Sequence, residues 1–307
     1  MCKSRVLTLY YHRVNSLEHD NNLLCVSPKK FRQQMLYLKK NYQIVRFEED
    51  WTMLDSDAVA VTFDDGYLDN LENAVPVLEE LQVPATVFVS TGTLNQDREL
   101  WWDELERLLL IGNDIPDSFR ISDEEFDCEW STDTWEYRRN CYQGLHYLMK
   151  NCITPARREK WMMQLWNWRQ LDRGCRKENL TLSPRDIGKL METKMISIGA
   201  HTVSHPSLAN LDRELQEYEI RSSIEELSKI TGNKITLFSY PFGSAGEDFN
   251  NETIEVCRQC GILKAASTQR KLWHLETDCY NIPRRIVRDW ELTEFDRRIM
   301  SYWEEAL

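Results

Sequence analysis

Apolar segments of strand length alternate with amphipathic segments of helix length over the first 90 residues of the chain. Val6–Tyr11, Ala58–Phe63 and Ala85–Ser90 are rich in β-branched and aromatic residues, as buried strands are. Apolar residues recur at helical spacing over Pro28–Lys40, which predicts an amphipathic helix. This order of elements is typical of an α/β fold with a largely parallel sheet.

The same alternation returns from residue 186 onwards. The pattern there predicts strands at Met195–Ala200, Ile235–Tyr240, Leu263–Ser267 and Ile282–Val287, and helices at Arg213–Thr231, Glu252–Cys260 and Trp290–Ala306. A total of about seven strands, most of them separated by helices, favours a distorted (β/α) barrel over a doubly wound sheet.

Residues 95–185 interrupt the alternation, and they contain seven of the eleven tryptophans. Three helices are predicted there, at Leu100–Ile111, Thr134–Cys152 and Ala156–Leu171, and no strand is evident. We therefore expect a barrel made of residues 1–94 and 186–307, with 95–185 as an inserted, Trp-rich helical cap. Core packing is the simplest role for these tryptophans, and a platform for stacking sugars is the alternative.

Composition excludes some classes of protein. Hydrophobic residues make up 42% of the chain and charged residues 29%, as in an ordinary globular protein. A net charge of −12 argues against a nucleic-acid partner or an anionic membrane partner. Nine cysteines, an odd number, favour reduced thiols. Without an apolar signal region or a run of about 18 apolar residues, we expect no integral membrane segment and a cytoplasmic protein.

Two adjacent carboxylates, Asp64 and Asp65, follow the predicted strand Ala58–Phe63, and Gly66 suits a sharp turn after them. Buried charges are costly unless they are paired, so each acid is expected to have a partner. The structural alternative is that both acids cap the next helix, and Asp-Asp-Gly alone would favour it.

A second cluster, His201 and His205, follows the predicted strand Met195–Ala200. One helical turn would place both imidazoles on the same side, although such a pair alone is as often a surface feature. One Asp and two His form a ligand set for zinc or another divalent first-row metal, and the second Asp is then available for acid–base chemistry.

Functional groups of a β/α barrel gather at the carboxyl ends of its strands. His12, the Asp pair, His201 and the turn Pro241–Gly243 all occupy that position in the predicted order. Other polar residues are given structural roles: Cys257 and Cys260 as packing residues, Glu104 and Glu106 as solvated helix charges.

Three segments resemble motifs of the polysaccharide deacetylases, carbohydrate esterase family 4, which share the NodB-type homology domain. Thr62-Phe-Asp-Asp-Gly66 resembles the first motif and His201-Thr-Val-Ser-His205 the second. Ser239-Tyr-Pro-Phe-Gly243 stands where the third motif is expected. The resemblance covers the barrel on both sides of the insert.

The resemblance implies a role for each motif residue. Asp65, His201 and His205 would bind the metal, and Asp64 would be the catalytic base. The main-chain N–H of Phe242, which replaces the family's tyrosine, would help to stabilise the oxyanion.

Ser239 departs from the family, which usually has an arginine there to orient the base. Arg284 and Arg285, near the end of the last predicted strand, are the candidates to replace it, and we assign the role to Arg284.

Two histidines are candidates for the general acid. Tyr10-Tyr-His-Arg13 resembles the branch of the family that acts on poly-N-acetylglucosamine, in which an early histidine has this role. Leu272-Trp-His274 matches a late Leu-x-His motif, but it lies in polar surroundings. We favour His12, because it ends a predicted barrel strand.

The leading hypothesis is a metal-dependent hydrolase that removes N-acetyl groups from amino sugars of a glycan or glycan precursor. Zinc is the first choice of metal, with cobalt, nickel, iron and manganese as alternatives. The alternative functions are an O-acetyl or N-formyl sugar deacylase and a non-catalytic glycan-binding protein with a decayed site.

Overall fold

The structure is a computed structural model, and it describes residues 4–305. Two compact units are present: a barrel unit, Met1–Leu94 with Thr181–Leu307, and an insert unit, Asn95–Leu180. Within the described part of the chain, no helix combines the length and apolar character needed to cross a bilayer.

The strands and helices are numbered in chain order. The strands are β1 (Val6–Tyr11), β2 (Arg13–Val14), β3 (Cys25–Val26), β4 (Gln43–Ile44), β5 (Ala58–Phe63), β6 (Ala85–Val89), β7 (Ser118–Ser122), β8 (Asp127–Ser131), β9 (Ile196–Ala200), β10 (Leu237–Ser239), β11 (Lys264–Ala266) and β12 (Arg285–Ile286). The helices are α1 (Pro28–Asn41), α2 (Val75–Leu81), α3 (Trp101–Leu110), α4 (Trp135–Asn151), α5 (Pro155–Arg169), α6 (Pro184–Glu192), α7 (Arg213–Thr231), α8 (Asn251–Gln259) and α9 (Leu292–Glu304). The expected end of the last helix, Ala306, lies outside the described residues.

The main sheet runs in the order β11-β10-β9-β6-β5-β1-β12, with β4 beside β5, and its strands pair in parallel. The segment before β12 links the two edges of this sheet. Ile282 pairs with β11, where its carbonyl accepts from Ser267 N–H at 2.8 Å, and β12 then pairs with β1. The prediction of a distorted (β/α) barrel of about seven strands is therefore confirmed.

The two faces of β5 belong to different parts of the core. Val59, Val61 and Phe63 pack with the helices outside the sheet, whereas Ala58 and Ala60 face the barrel interior. Bulky aromatic side chains fill that interior beside these alanines: Phe47, Trp51, Phe88 and Trp273. The barrel is thus a packed core, and both faces of β5 are buried, as its apolar sequence predicts.

In-register pairing of β1 with β5 determines where the next residues lie. The register runs without interruption from Val6 opposite Ala58 to Tyr11 opposite Phe63. The two strands therefore end at the same level, and Asp64 N–H donates to the Tyr11 carbonyl at 3.0 Å. This edge of the sheet carries the candidate site.

The insert unit contains a β-hairpin that the sequence pattern does not reveal. β7 and β8 pair antiparallel from Ser118–Ser131 to Ser122–Asp127. Phe119 and Ile121 are buried in it, but the flanking serines and acids hide the alternation. Helices α3, α4 and α5 lie where helices are predicted.

The expectation that Glu104 and Glu106 are solvated is wrong. Their exposed fractions are 1% and 6%, and the Glu104 carboxylate is held by the Arg173 guanidinium at 3.0 Å and by Trp166 Nε1–H at 3.3 Å. Helical periodicity cannot reveal a buried acid whose arginine partner lies 69 residues away in the sequence. Four tryptophans of this unit are buried, which favours the packing role: Trp101, Trp102, Trp161 and Trp166.

Candidate functional site

Most residues of the candidate site follow the carboxyl ends of neighbouring barrel strands. His12 follows β1, and Asp64 and Asp65 follow β5. His201 follows β9, where its N–H donates to the carbonyl of the last β6 residue at 3.0 Å. These groups share one edge of the sheet because the strands are parallel.

Asp65, His201 and His205 form a buried cluster with the composition of a metal site. Asp65 Oδ1 lies 3.5 Å from His201 Nε2 and 3.4 Å from His205 Nε2, and the three residues' ligand atoms all lie within 4.8 Å of one another. Asp65 Oδ1 is buried and accepts no hydrogen bond from any residue of the described chain. A buried carboxylate oxygen without a donor is costly unless it binds a cation, so these residues fit a divalent metal.

A main-chain contact fixes the orientation of the His201 ring. Its Nδ1 lies 2.7 Å from the Ser239 carbonyl oxygen. A carbonyl oxygen only accepts, so Nδ1 carries the proton and the lone pair on Nε2 faces Asp65. Metal-binding histidines are commonly oriented by such a hydrogen bond.

The two histidines meet through a tight loop rather than the helical turn suggested by their spacing. Thr202 and His205 have φ values of 66° and 55°, so the backbone is left-handed at both. Thr202 Oγ1 accepts from the His205 N–H at 3.1 Å. The loop brings the imidazole centroids of His201 and His205 to 4.9 Å.

Left-handed backbone recurs elsewhere in the site. Asp65 has φ 72° and Phe242 has φ 61°, so both join Thr202 and His205 in this region. Non-glycine residues rarely adopt it, and such strain persists where the surrounding structure enforces it, frequently at functional sites.

Asp64 forms a buried, bidentate ion pair with Arg284. Nη1 and Nη2 of Arg284 donate to Asp64 Oδ1 and Oδ2 at 2.8 and 2.7 Å. The guanidinium also donates to Ser239 Oγ at 2.7 Å, to Thr62 Oγ1 at 3.2 Å and to the Ser267 carbonyl at 3.1 Å. Ser239 stands where the resemblance implies an arginine, and its hydroxyl thus binds the arginine that reaches Asp64 from the residue just before β12.

This pairing sets the ionisation of Asp64. Burial alone would raise its pKa, but the nearby Arg284 guanidinium, with smaller contributions from His201 and His12, lowers the pKa of Asp64 below its ordinary value of 3.8. The carboxylate is therefore ionised at neutral pH.

Arg285 points away from the site. Its Nη2 donates to Glu305 at 2.6 Å, and its guanidinium lies 4.6 Å from the centroid of the Tyr302 ring. Adjacent strand residues face opposite sides of a sheet, so only one of the two arginines can reach Asp64. The structure brings Arg284 there.

His12 is partly buried beside the two acids. Its carbonyl accepts from Asn70 Nδ2 at 2.8 Å, and its ring packs edge-on against Tyr10 at 5.5 Å. Burial lowers the pKa of His12 below 6.5, while the charges of Asp65 and Asp64 oppose this decrease.

His274 lies at the other end of β1. The preceding residue, Trp273, exchanges main-chain hydrogen bonds of 3.1 and 2.9 Å with Val6, the first residue of that strand. Six strand residues span ~20 Å, and His12 follows the last of them. His274 is exposed, and its Nδ1 lies 3.1 Å from a Glu276 carboxylate oxygen.

Phe242 lies against the cluster of Asp65, His201 and His205. Its ring packs edge-on to the His205 ring, with centroids 4.7 Å apart. Its carbonyl accepts from Thr268 Oγ1 at 2.8 Å, which anchors the turn. Gly243 follows with φ 74°, and a Cβ there would lie 2.8 Å from Thr268 Cγ2, so the turn requires glycine.

Two residues near the site were missed by the sequence analysis. Glu219 of α7 is buried against the loop between the histidines, and Asn70 binds the His12 carbonyl. No local pattern marks Glu219, because its contacts with the loop are tertiary and join residues 15 and 16 positions apart.

Comparison with known proteins identifies the family. The sequence profile described as polysaccharide deacetylase matches residues 53–117 and 168–265, over half of the chain. The chain belongs to the polysaccharide deacetylase family. The motif acids and histidines lie inside the matched segments, whereas His12 and Arg284 lie outside them.

A curated relative, YxkH of Bacillus subtilis (strain 168), has a name that assigns it to the polysaccharide deacetylases. It is 32% identical over 114 residues, which are 35% of this chain and 39% of YxkH. The chain thus matches well under half of that relative's length.

Solved deacetylase structures share the fold over almost the whole chain. PplD of Streptococcus pyogenes, in complex with acetate, has a TM-score of 0.62 at 16% identity and covers 97% of this chain and 99% of its own. IcaB of Ammonifex degensii has a TM-score of 0.62 at 18% identity and covers 97% of both chains. BC0361, a polysaccharide deacetylase of Bacillus cereus, has a TM-score of 0.60 at 19% identity and covers 96% of this chain and 69% of its own.

Replacing Arg284 tests the ion pair. Arg284→Gln leaves the buried Asp64 carboxylate without its cation, so the free energy of unfolding should fall by about 3–5 kcal/mol at neutral pH. In the wild type, the depressed pKa of Asp64 contributes stability above pH 3.8 that is lost as the pH falls through the folded-state pKa. The variant's unpaired carboxyl has a raised pKa instead, so its deficit should grow as the pH rises. Urea unfolding of metal-free protein between pH 5 and 8 measures this.

The matched control combines Arg284→Gln with Asp64→Asn, which removes the unpaired charge. Its stability should follow the pH dependence of the wild type in that range. A deficit in Arg284→Gln that is the same at every pH, and unchanged in the double variant, would contradict the assigned cause.

Proposed function

We propose that this protein is a metal-dependent hydrolase that removes N-acetyl groups from amino sugars of a glycan or glycan precursor. The observation that carries the proposal is the difference in environment between two adjacent acids, Asp64 and Asp65. The Arg284 guanidinium compensates the negative charge of Asp64, whereas Asp65 Oδ1 accepts no hydrogen bond from the described residues and faces two imidazoles. One acid is thus suited to proton transfer and the other to metal binding.

Asp65, His201 and His205 would hold the metal. One carboxylate and two neutral imidazoles suit zinc first, then cobalt, nickel, iron or manganese. When bound, such an ion polarises the substrate carbonyl and lowers the pKa of a water molecule.

Asp64 acts as the general base in this proposal. Its ionised carboxylate takes a proton from the attacking water, and Arg284 keeps the carboxylate ionised and fixes its orientation. The main-chain N–H of Phe242, next to His205, donates to the carbonyl oxygen as negative charge develops on it.

His12 is the general acid that protonates the leaving nitrogen. It lies on the same edge of the sheet as Asp64 and Asp65, while His274 lies at the opposite end of β1. Burial lowers its pKa, so an imidazolium at His12 gives up its proton more readily than an ordinary histidine.

The departure at Ser239 supports an enzyme rather than a glycan-binding protein with a decayed site. The hydroxyl of Ser239 accepts from Arg284 Nη2, and the same guanidinium reaches Asp64. The interaction expected of the family's arginine is therefore supplied from another position.

Separate substitution of the two acids tests the division of roles. With zinc or cobalt added, the wild type should release acetate from N-acetylated amino-sugar oligomers. Asp64→Asn should keep the metal but lose about 10²–10⁴-fold in rate, since a general base is removed. Asp65→Asn should lose metal, as elemental analysis after desalting measures. Equal metal loss in both variants would refute the division, and a metal-loaded wild type without acetate release would refute the function.

The choice of general acid is tested by His12→Ala and His274→Ala. His12→Ala should retain the metal, lower kcat and remove the alkaline limb of the pH–rate profile, because that limb reports the loss of the acid's proton. His274→Ala serves as the control and should match the wild type. The reverse pattern, with a normal His12 variant and an impaired His274 variant, would overturn the assignment.

A further inference from the structure

The segment Thr202–Ser204 joins the two histidines and is held from both sides. On one side, the carbonyls of Thr202 and Val203 accept from the N–H groups of Thr91 and Gly92 at 3.1 and 2.8 Å. A Cβ at Gly92 would lie 2.6 Å from the Val203 oxygen, so only glycine allows this approach.

On the other side, a single carboxylate from α7 binds the segment. Glu219 Oε2 accepts from the N–H groups of Val203 and Ser204 at 2.9 and 2.8 Å. Glu219 Oε1 accepts from the Ser204 hydroxyl at 2.5 Å. These contacts leave the segment between the histidines little freedom, and it is this segment that orients the His205 ring towards Asp65.

Glu219 is buried, with 3% of its surface exposed, and it forms no ion pair with any basic side chain of residues 4–305. Three hydrogen bonds reduce the cost of burying its negative charge but do not cancel the charge. A compensating positive charge is therefore expected close by.

The charges around the ligand set are unbalanced without a cation. Asp64 and Arg284 cancel each other, whereas Asp65 and Glu219 each contribute one negative charge. A cation bound by Asp65 would offset this negative charge.

We propose that Glu219 is a positioning residue for the metal: it fixes the loop that joins His201 to His205 and places a negative charge against that loop. This inference rests on the proposed metal site of the deacetylase. Glu219 acts through the loop, not as a ligand, because its oxygens are occupied by Val203 and Ser204.

The test uses Glu219→Gln in the full chain. Glutamine has the same shape and keeps one oxygen for the two N–H groups, but it removes the charge. Zinc or cobalt affinity, measured by titration against a competing chelator, should weaken about 10–100-fold. The metal-free variant should melt at or above the temperature of the metal-free wild type, since an uncompensated buried charge is gone. The metal-loaded variant should melt below the loaded wild type.

Glu226→Gln is the matched control, because Glu226 is exposed on the same helix and the charge change is identical. Its metal affinity and melting temperatures should equal those of the wild type. The absorption spectrum of bound cobalt adds a readout of ligand geometry, which should change in Glu219→Gln and remain unchanged in Glu226→Gln.

The outcomes separate the two proposals. Wild-type metal affinity in Glu219→Gln, or an equal drop in melting temperature with and without metal, would overturn the role of Glu219 alone. Tight metal binding without acetate release would overturn the proposed function and leave the Glu219 comparison valid. A wild type that binds no divalent metal would overturn both.

Discussion

Burial of two adjacent carboxylates at the end of β5 is the constraint on which the site depends. Asp64 and Asp65 cannot both be left unpaired there, because an isolated charge in the interior is strongly unfavourable. The barrel provides Arg284 for Asp64 alone. Asp65 turns, through a left-handed backbone, towards His201 and His205. Two chemically identical groups thereby acquire different environments, which is the basis of the different roles proposed for them.

The fold makes this possible through strand register and close packing. β1 and β5 end level with each other, so their following residues meet at one edge. Aromatic side chains fill the interior where β5 presents alanines and β9 presents Gly199, at which a Cβ would lie 2.4 Å from the Phe88 ring. This closely packed interior holds the site residues in place, including those with strained backbone.

The sequence was sufficient for the elements with strong local patterns. β1, β5 and α7 have the predicted bounds, because apolar β-branched runs and a charged amphipathic helix ending at Gly232 are local signals. The motifs likewise predicted Asp65, His201 and His205 as one cluster, and the structure brings them together.

Most contacts between residues far apart in the chain could not be predicted from the sequence. Arg284 was among the predicted replacements for the missing arginine, but its contact with the hydroxyl of Ser239, 45 positions away, was not predicted. The geometry of the histidine loop depends on Thr91, Gly92 and Glu219, which no spacing rule connects to it. The spacing alone suggested a helical turn, and tertiary hydrogen bonds imposed a left-handed loop instead.

The central claim is that Asp65, and not Asp64, joins the two histidines around a divalent cation. Anomalous diffraction from crystals grown with zinc or cobalt tests it most directly. We expect one dominant peak at about 2.0–2.2 Å from Asp65 Oδ1 and from the Nε2 atoms of His201 and His205, with Asp64 still paired to Arg284. A peak bound by Asp64, or no peak at these three residues, would contradict the account.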